Sequence, residues 1–163
     1  MEALFLVVTM TGTSEMIAED IVDAHGAGHE FTLRLAEHAQ PSILAQTRQL
    51  LVISSTYGTG EVPTPGKAFF DALSKSPMDL SHLRYGVIAL GDTIYGDTFA
   101  NGGRQWDTLL KECGAQRLAE PLLLDASGQD DMSGLAVEWA ERWLKLALQA
   151  EGAEENASSP SKV

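Results

Sequence analysis

The apolar positions of this chain fall into short unbroken runs separated by longer amphipathic stretches. Ala3 to Val8 reads ALFLVV, Gln49 to Ser55 reads QLLVISS, and Arg84 to Leu90 reads RYGVIAL. Runs of strand length without polar alternation predict strands buried on both faces, as in a parallel sheet covered by helices. Glu30 to Leu35 (EFTLRL) alternates with a period of two and predicts a half-exposed edge strand. Arg117 to Leu124 predicts a fifth strand, which Pro121 consigns to an edge or a bulge because proline donates no ladder hydrogen bond.

Between these runs the apolar residues recur at helical spacing. Ser14 to His25 places Ile17, Ile21 and Ala24 on one face. Thr64-Pro65 opens a helix that can pack Phe69, Phe70 and Leu73, with Pro65 near the first helical position, where its missing N–H costs nothing. Arg104 to Cys113 carries Trp106, Leu109 and Leu110, and Gly114 is suited to end it. Ser133 to Gln149 predicts a last helix with Leu135, Trp139, Trp143 and Leu146 facing the core, and with Glu138/Arg142 and Glu141/Lys145 as solvated i,i+4 pairs. Strands alternating with helices predict an α/β fold, a doubly wound five-stranded parallel sheet with helices on both faces. Residues 1–150 are expected to form one domain, and the acidic, Ser-rich tail 151–163 is expected to be disordered.

Composition narrows the function. A chain of 163 residues with 44% apolar content can bury one core. Its formal net charge of −12 disfavours nucleic acid and membrane surfaces and favours basic protein partners. The single cysteine, Cys113, excludes an internal disulfide, a Cys-x-x-Cys redox pair and a thiolate metal site, and reads as a packing residue. His25 and His29 bracket Gly26 and Gly28 and read as a solvated turn rather than a metal pair. Met1-Glu2-Ala3 shows no basic leader, and no apolar run reaches the roughly 20 residues of a membrane span, so a cytoplasmic location is expected.

In a doubly wound sheet, ligands bind at the carboxyl ends of the strands, where strand order reverses. Three loops therefore matter. The first, Thr9-Met10-Thr11-Gly12-Thr13-Ser14, puts four hydroxyls and a glycine at a helix start, more than capping requires, and predicts a phosphate site. It has no G-x-x-x-x-G-K-[ST] and no G-x-G-x-x-G, which argues against triphosphate hydrolysis and a Rossmann dinucleotide site. The first and third strands end in Thr9 and Ser55, so the acidic cluster of a receiver-type phosphotransfer domain is missing as well. The second loop, Ser54-Ser55-Thr56-Tyr57-Gly58-Thr59-Gly60-Glu61-Val62-Pro63, offers an aromatic face at Tyr57 beside two permissive glycines. The third, Leu90-Gly91-Asp92-Thr93-Ile94-Tyr95-Gly96-Asp97-Thr98-Phe99-Ala100-Asn101-Gly102-Gly103, brings a second aromatic, Tyr95, to the neighbouring strand end. A planar heterocycle between two tyrosines above a monophosphate fits FMN better than a nucleoside triphosphate.

These three segments resemble the FMN-binding segments of flavodoxins. Leu83 to Ser127 is similar to the short-chain bacterial flavodoxins of the MioC/YqcA type, with the long-chain insertion in the fifth strand absent. The resemblance implies a flavodoxin-like strand order 2-1-3-4-5. It implies that Thr9 to Ser14 hold the phosphate, Tyr57 the inner ring face and Tyr95 the outer one. It further implies that the Gly58 carbonyl accepts from the reduced flavin N5 and that Asp92 accepts from the pyrimidine edge. Ser55, Thr56, Thr59, Gly60, Gly91, Gly96, Asp97 and Phe99 complete the expected cofactor shell. Two features depart from the pattern: Tyr95 and Phe99 are one residue further apart than usual, and Pro63-Thr64-Pro65 stands where relatives carry Pro-Asp.

The function this implies is a monomeric one-electron carrier between a basic reductase (a flavodoxin/ferredoxin reductase) and an acceptor enzyme, rather than a turnover enzyme. Glu61, Asp92, Asp97, Asp125, Asp130 and Asp131 would form an acidic rim that steers such partners. The alternatives are a small FMN-dependent reductase of quinones or similar substrates and a non-redox scaffold domain.

Overall fold

A computed structural model describes the chain except for Met10, residues 57–61, Pro63, residues 92–99, Ser127, Gln129, Asp130 and residues 159–163, and it leaves out the side chains of 155–158. The elements run β1 (Glu2–Val8), α1 (Thr13–His25), β2 (Glu30–Leu35), β3 (Gln49–Ser54), α2 (Thr64–Lys75), β4 (Arg84–Gly91), α3 (Asn101–Glu112), β5 (Gln116–Arg117), β6 (Leu122–Asp125) and α4 (Met132–Ser158). Two short 3-10 segments, Ala36–His38 and Pro41–Gln46, make the crossover from β2 to β3 where a helix would usually run.

Every described strand pairing is parallel. The order is β2-β1-β3-β4, and the fifth position beside β4 is shared by β5 and β6. The order 2-1-3-4-5 is therefore realised with its last strand broken between Arg117 and Leu122, at the predicted edge and around Pro121. The break leaves backbone groups outside the ladder. Trp139 Nε1 donates to the Glu120 carbonyl at 3.2 Å and satisfies one of them.

Alternation along the strands builds a core on each face. Leu4, Leu6, Leu50, Val52, Tyr85 and Val87 meet Phe69 and Leu73 of α2 and Trp106, Leu109 and Leu110 of α3. Phe5, Val7, Leu51, Ile53 and Ile88 meet Ile17 and Ile21 of α1 and Trp139 and Trp143 of α4. A side chain at Gly86 would run into both of these tryptophans, so the glycine makes room for α4 to settle on β4. Buried Tyr85 donates to Asp107 Oδ1 at 2.6 Å, and Arg117 holds the other carboxylate oxygen at 2.8 Å. Burial, and then the hydrogen bond to Asp107, push the Tyr85 phenol above its usual range.

Some expectations need correction. On α4, Leu135 and Leu146 are exposed, and Ala136, Ala140, Leu144 and Ala147 are buried beside the tryptophans. Small residues let the helix approach the sheet closely enough to seat two indoles. Over 151–158 the expected disorder is replaced by helix, because α4 runs on to Ser158. Its extension is tied down by Glu154, which pairs with Arg84 at 2.5 Å and Arg48 at 3.5 Å. His25 and His29 are half-buried rather than solvated. The His25 ring contacts the Val137 carbonyl at 2.9 Å, and His29 stacks on Phe31 with ring centroids 5.2 Å apart. Cys113 is buried, as expected of a packing residue, and burial raises its thiol pKa.

Candidate functional site

The carboxyl ends of β1, β3 and β4 lie side by side because these are neighbouring strands of the sheet. Register matches Val8 to Ser54 and Ser54 to Ala89, so Thr9, Ser55 and Gly91 leave the sheet at one edge. The Ser55 N–H bonds to the Val8 carbonyl at 2.9 Å and holds the first two exits together.

In the first loop, Gly12 adopts φ 91° immediately before α1, with nothing within 4 Å of the place a Cβ would take. A left-handed turn at this position is why glycine stands here. Gly12 itself is the N-cap of α1, and no side-chain hydrogen bond caps the helix there. The Gly12 N–H instead bonds to Thr9 Oγ1 at 2.9 Å, and Thr11 and Thr13 bring their hydroxyls within 3.4 Å of each other. Met16 N–H makes the bond back to the Gly12 carbonyl at 3.0 Å, so the amides of Thr13, Ser14 and Glu15 stand ahead of it at the positive end of the helix. Thr11 and Gly12 are exposed, and Thr9 and Thr13 are half-buried. No Lys or Arg lies between Thr9 and Glu15, so the donors here are hydroxyls and amides alone. Such a set suits a terminal phosphate presented from outside, and the open space over Gly12 admits it.

Ser14 behaves differently from its neighbours. It is fully buried, and its Oγ lies 2.7 Å from Ser55 Oγ. Next to it in the second loop, Thr56 Oγ1 donates to the Leu90 carbonyl at 2.8 Å and accepts from the Gly102 N–H at 3.0 Å. At the end of β6, the Ala126 N–H bonds to the Gly91 carbonyl at 2.8 Å and adds the edge strand to the same rim. Asp125 closes β6 there, and Asp131 Oδ1 accepts from the Gly134 N–H at 3.1 Å at the start of α4.

Of the predicted site residues, Thr9, Thr11, Gly12, Thr13, Ser14, Ser55, Thr56 and Gly91 are brought to this one edge. Met10, Tyr57, Gly58, Thr59, Gly60, Asp92, Tyr95, Gly96, Asp97 and Phe99 lie outside the described residues, as do Glu61 and Asp130 of the expected acidic rim. The structure adds Ala100 and the pair Gly102-Gly103, which carried no assigned role. Ala100 turns at φ 56° into α3, a Cβ on Gly102 would overlap the Ser55 carbonyl, and one on Gly103 would overlap Ala89. The signal for them was two adjacent glycines opening a helix, a choice of poor helix formers that only close approach justifies.

A cavity of about 500 Å³ lies at the other end of the sheet, lined by Glu2, Leu4, Glu30, Ile43, Arg48 and Glu151. Its carboxylates oppose an anion, so it is no rival for the loop at Gly12 as a candidate phosphate site. No group of three or more His, Cys, Asp or Glu that could hold a metal ion occurs among the described residues.

The family profile described as Flavodoxin matches residues 6–139. The chain belongs to the flavodoxin family. Among its flavodoxin relatives, Flavodoxin YqcA of Escherichia coli (strain K12) is 39% identical over 138 residues, covering 83% of this chain and 91% of that one. The sulfite reductase [NADPH] flavoprotein alpha-component of Vibrio cholerae is 33% identical over 140 residues, which are 85% of this chain and 22% of that protein. Among solved structures, a cysteine-to-serine mutant of flavodoxin from Pseudomonas aeruginosa aligns with a TM-score of 0.81 at 30% identity, covering 90% of this chain and 99% of that one.

Proposed function

We propose that this chain is an FMN-binding one-electron carrier, with Thr9, Thr11, Gly12 and Thr13 and the first amides of α1 holding the FMN phosphate. The observation that carries this reading is the uncharged donor set around Gly12, standing beside the exits of β3 and β4 in a flavodoxin chain. When bound, the flavin supplies the redox chemistry, and the protein binds, orients and tunes it. Tyr57 and Tyr95 belong to the loops that leave these strand ends and are proposed as the ring-stacking residues, with the Gly58 carbonyl and Asp92 as polar partners.

The partners in this reading are redox proteins. The match to one segment of a much longer sulfite reductase flavoprotein supports a domain of this type working inside multi-domain electron-transfer chains. The net charge of −12 supports basic docking faces on those partners, with fast, weak encounters. We further propose that the chain acts as a monomer in the cytoplasm. No helix among the described residues is long and apolar enough to cross a membrane.

The experiment is anaerobic mixing of the FMN-loaded protein with NADPH, with and without a basic flavodoxin reductase. A carrier is reduced only when the reductase is present. Rapid bleaching by NADPH alone would instead assign the chain to the small reductases.

A further inference from the structure

Thr56 sits at the exit of β3, where its hydroxyl both donates and accepts within the protein. A threonine hydroxyl has one proton to donate. Here that proton goes to the Leu90 carbonyl at 2.8 Å, while the oxygen accepts the Gly102 N–H at 3.0 Å. Buried Leu90 opens the third loop near the end of β4, and Gly102 stands at its far end, in the first turn of α3. A single side chain on the second loop therefore bonds to both ends of the third. The neighbouring residue makes the matching connection on the other side, since Ser55 Oγ meets Ser14 Oγ at 2.7 Å.

The backbone around this hydroxyl leaves it little freedom. A Cβ at Gly102 would overlap the Ser55 carbonyl and stand 3.0 Å from Thr56 Oγ1, so only glycine lets α3 come close enough for its amide to reach the hydroxyl. Ala100, at φ 56°, is a non-glycine residue in the left-handed region, where an L side chain is strained. Gly103 lies directly on Ala89 of β4. Of these features Gly102 meets the Thr56 contact itself, while Ala100 and Gly103 shape the start of α3 on either side of it.

We infer that Thr56 is a positioning residue: its hydroxyl sets the spacing between the two ends of the third loop and fixes them to the second loop. It acts on the flavin through those loops, because its only proton is already committed to Leu90. The inference rests on the flavin reading above and deepens it.

The test compares the parent chain with Thr56→Val, which keeps the shape and removes the hydroxyl, and with Thr56→Ser, which keeps the hydroxyl. Thr56→Ala serves as a second hydroxyl-free variant should the valine fail to fold. Amide hydrogen exchange on the apoprotein is read first. Exchange at Gly102 is expected to accelerate about tenfold or more in the hydroxyl-free variant, with the amides of β1 and β3 at parent rates and serine restoring the parent value. FMN titration by flavin fluorescence is read second. The dissociation constant is expected to rise about tenfold without the hydroxyl and to stay within about threefold in the serine variant.

Unchanged exchange at Gly102, unchanged FMN affinity, or a serine variant that behaves like valine would each overturn the inference. A parent chain that binds no FMN would overturn the flavin reading itself, and the titration of the parent tells that failure apart from the others.

Discussion

The buried Ser14 hydroxyl lies 2.7 Å from the Ser55 hydroxyl, joining residues 41 positions apart across the exits of β1 and β3. Of the four hydroxyls in the first loop, it is the one committed to the protein's own interior, leaving Thr9, Thr11 and Thr13 nearer the surface. The segment proposed to hold the phosphate is thereby anchored to the strand end that leads into a segment proposed to hold the ring.

Ser55→Ala removes one partner and leaves the Ser14 hydroxyl buried without it. The expected cost is about 1 kcal/mol of stability, with a roughly fivefold loss of FMN affinity if the loop loosens in proportion. Urea unfolding of the apoprotein and fluorescence titration of FMN measure the two effects separately. The double variant Ser14→Ala/Ser55→Ala should cost less than the sum of the single ones, because both report one contact.

Gly102→Ala tests a backbone contact. The added methyl would meet the Ser55 carbonyl oxygen, which is backbone and cannot swing aside. A loss of about 1–3 kcal/mol in urea unfolding is expected, comparable to an overpacked core. Gly12→Ala meets open space instead, so its cost should come only from the strained φ of 91°, about 1–2 kcal/mol.

Four strands were legible almost to the residue, since their apolar patterns admit few other readings, whereas the fifth, read as one run from Arg117 to Leu124, is split in two. Glu30–Leu35 matches its predicted span, and β1, β3 and β4 differ from theirs by one residue at an end. What escaped was tertiary. No local pattern shows that Glu154 will find Arg84 and Arg48, so a segment poor in apolar residues looked disordered although α4 runs on through it and pairs with both arginines. Periodicity favoured the large residues Leu135 and Leu146 over Ala136 and Ala140, although the tryptophans needed small neighbours. At the site, spacing identified four hydroxyls at a helix start, but it could not tell that Ser14 turns inward or that the Thr56 proton goes to Leu90.

The extension of α4 gives a pH-dependent prediction. The hydrogen bond from Arg84, followed by the charges of Arg84 and Arg48, holds the Glu154 carboxyl below its ordinary value of 4.5. A depressed folded-state pKa means that the stabilisation is fully present above that value and is lost as pH falls through the lower folded one. The side chain is partly exposed, so the effect is small, about 0.2–1 kcal/mol for an ion pair in such a setting. Glu154→Gln should lower stability at pH 7 by that amount and make no difference at pH ~2, below the ordinary carboxylate range. Urea unfolding of both proteins at the two pH values checks the sign.

Charge should govern partner encounter. With a net charge of −12, the rate of electron transfer from a basic reductase is expected to fall steadily as ionic strength rises from about 0.01 to about 1 M, where screening becomes short-ranged. Stopped-flow rates that do not change with salt would count against electrostatic steering.

The most direct test of the whole account is addition of FMN to the purified apoprotein, followed by stepwise anaerobic reduction monitored in the visible spectrum. One FMN bound per chain and uptake of electrons in two resolved one-electron steps are the expected result. A protein that stays colourless after FMN is added, or whose bound flavin takes both electrons in a single unresolved step, would contradict it.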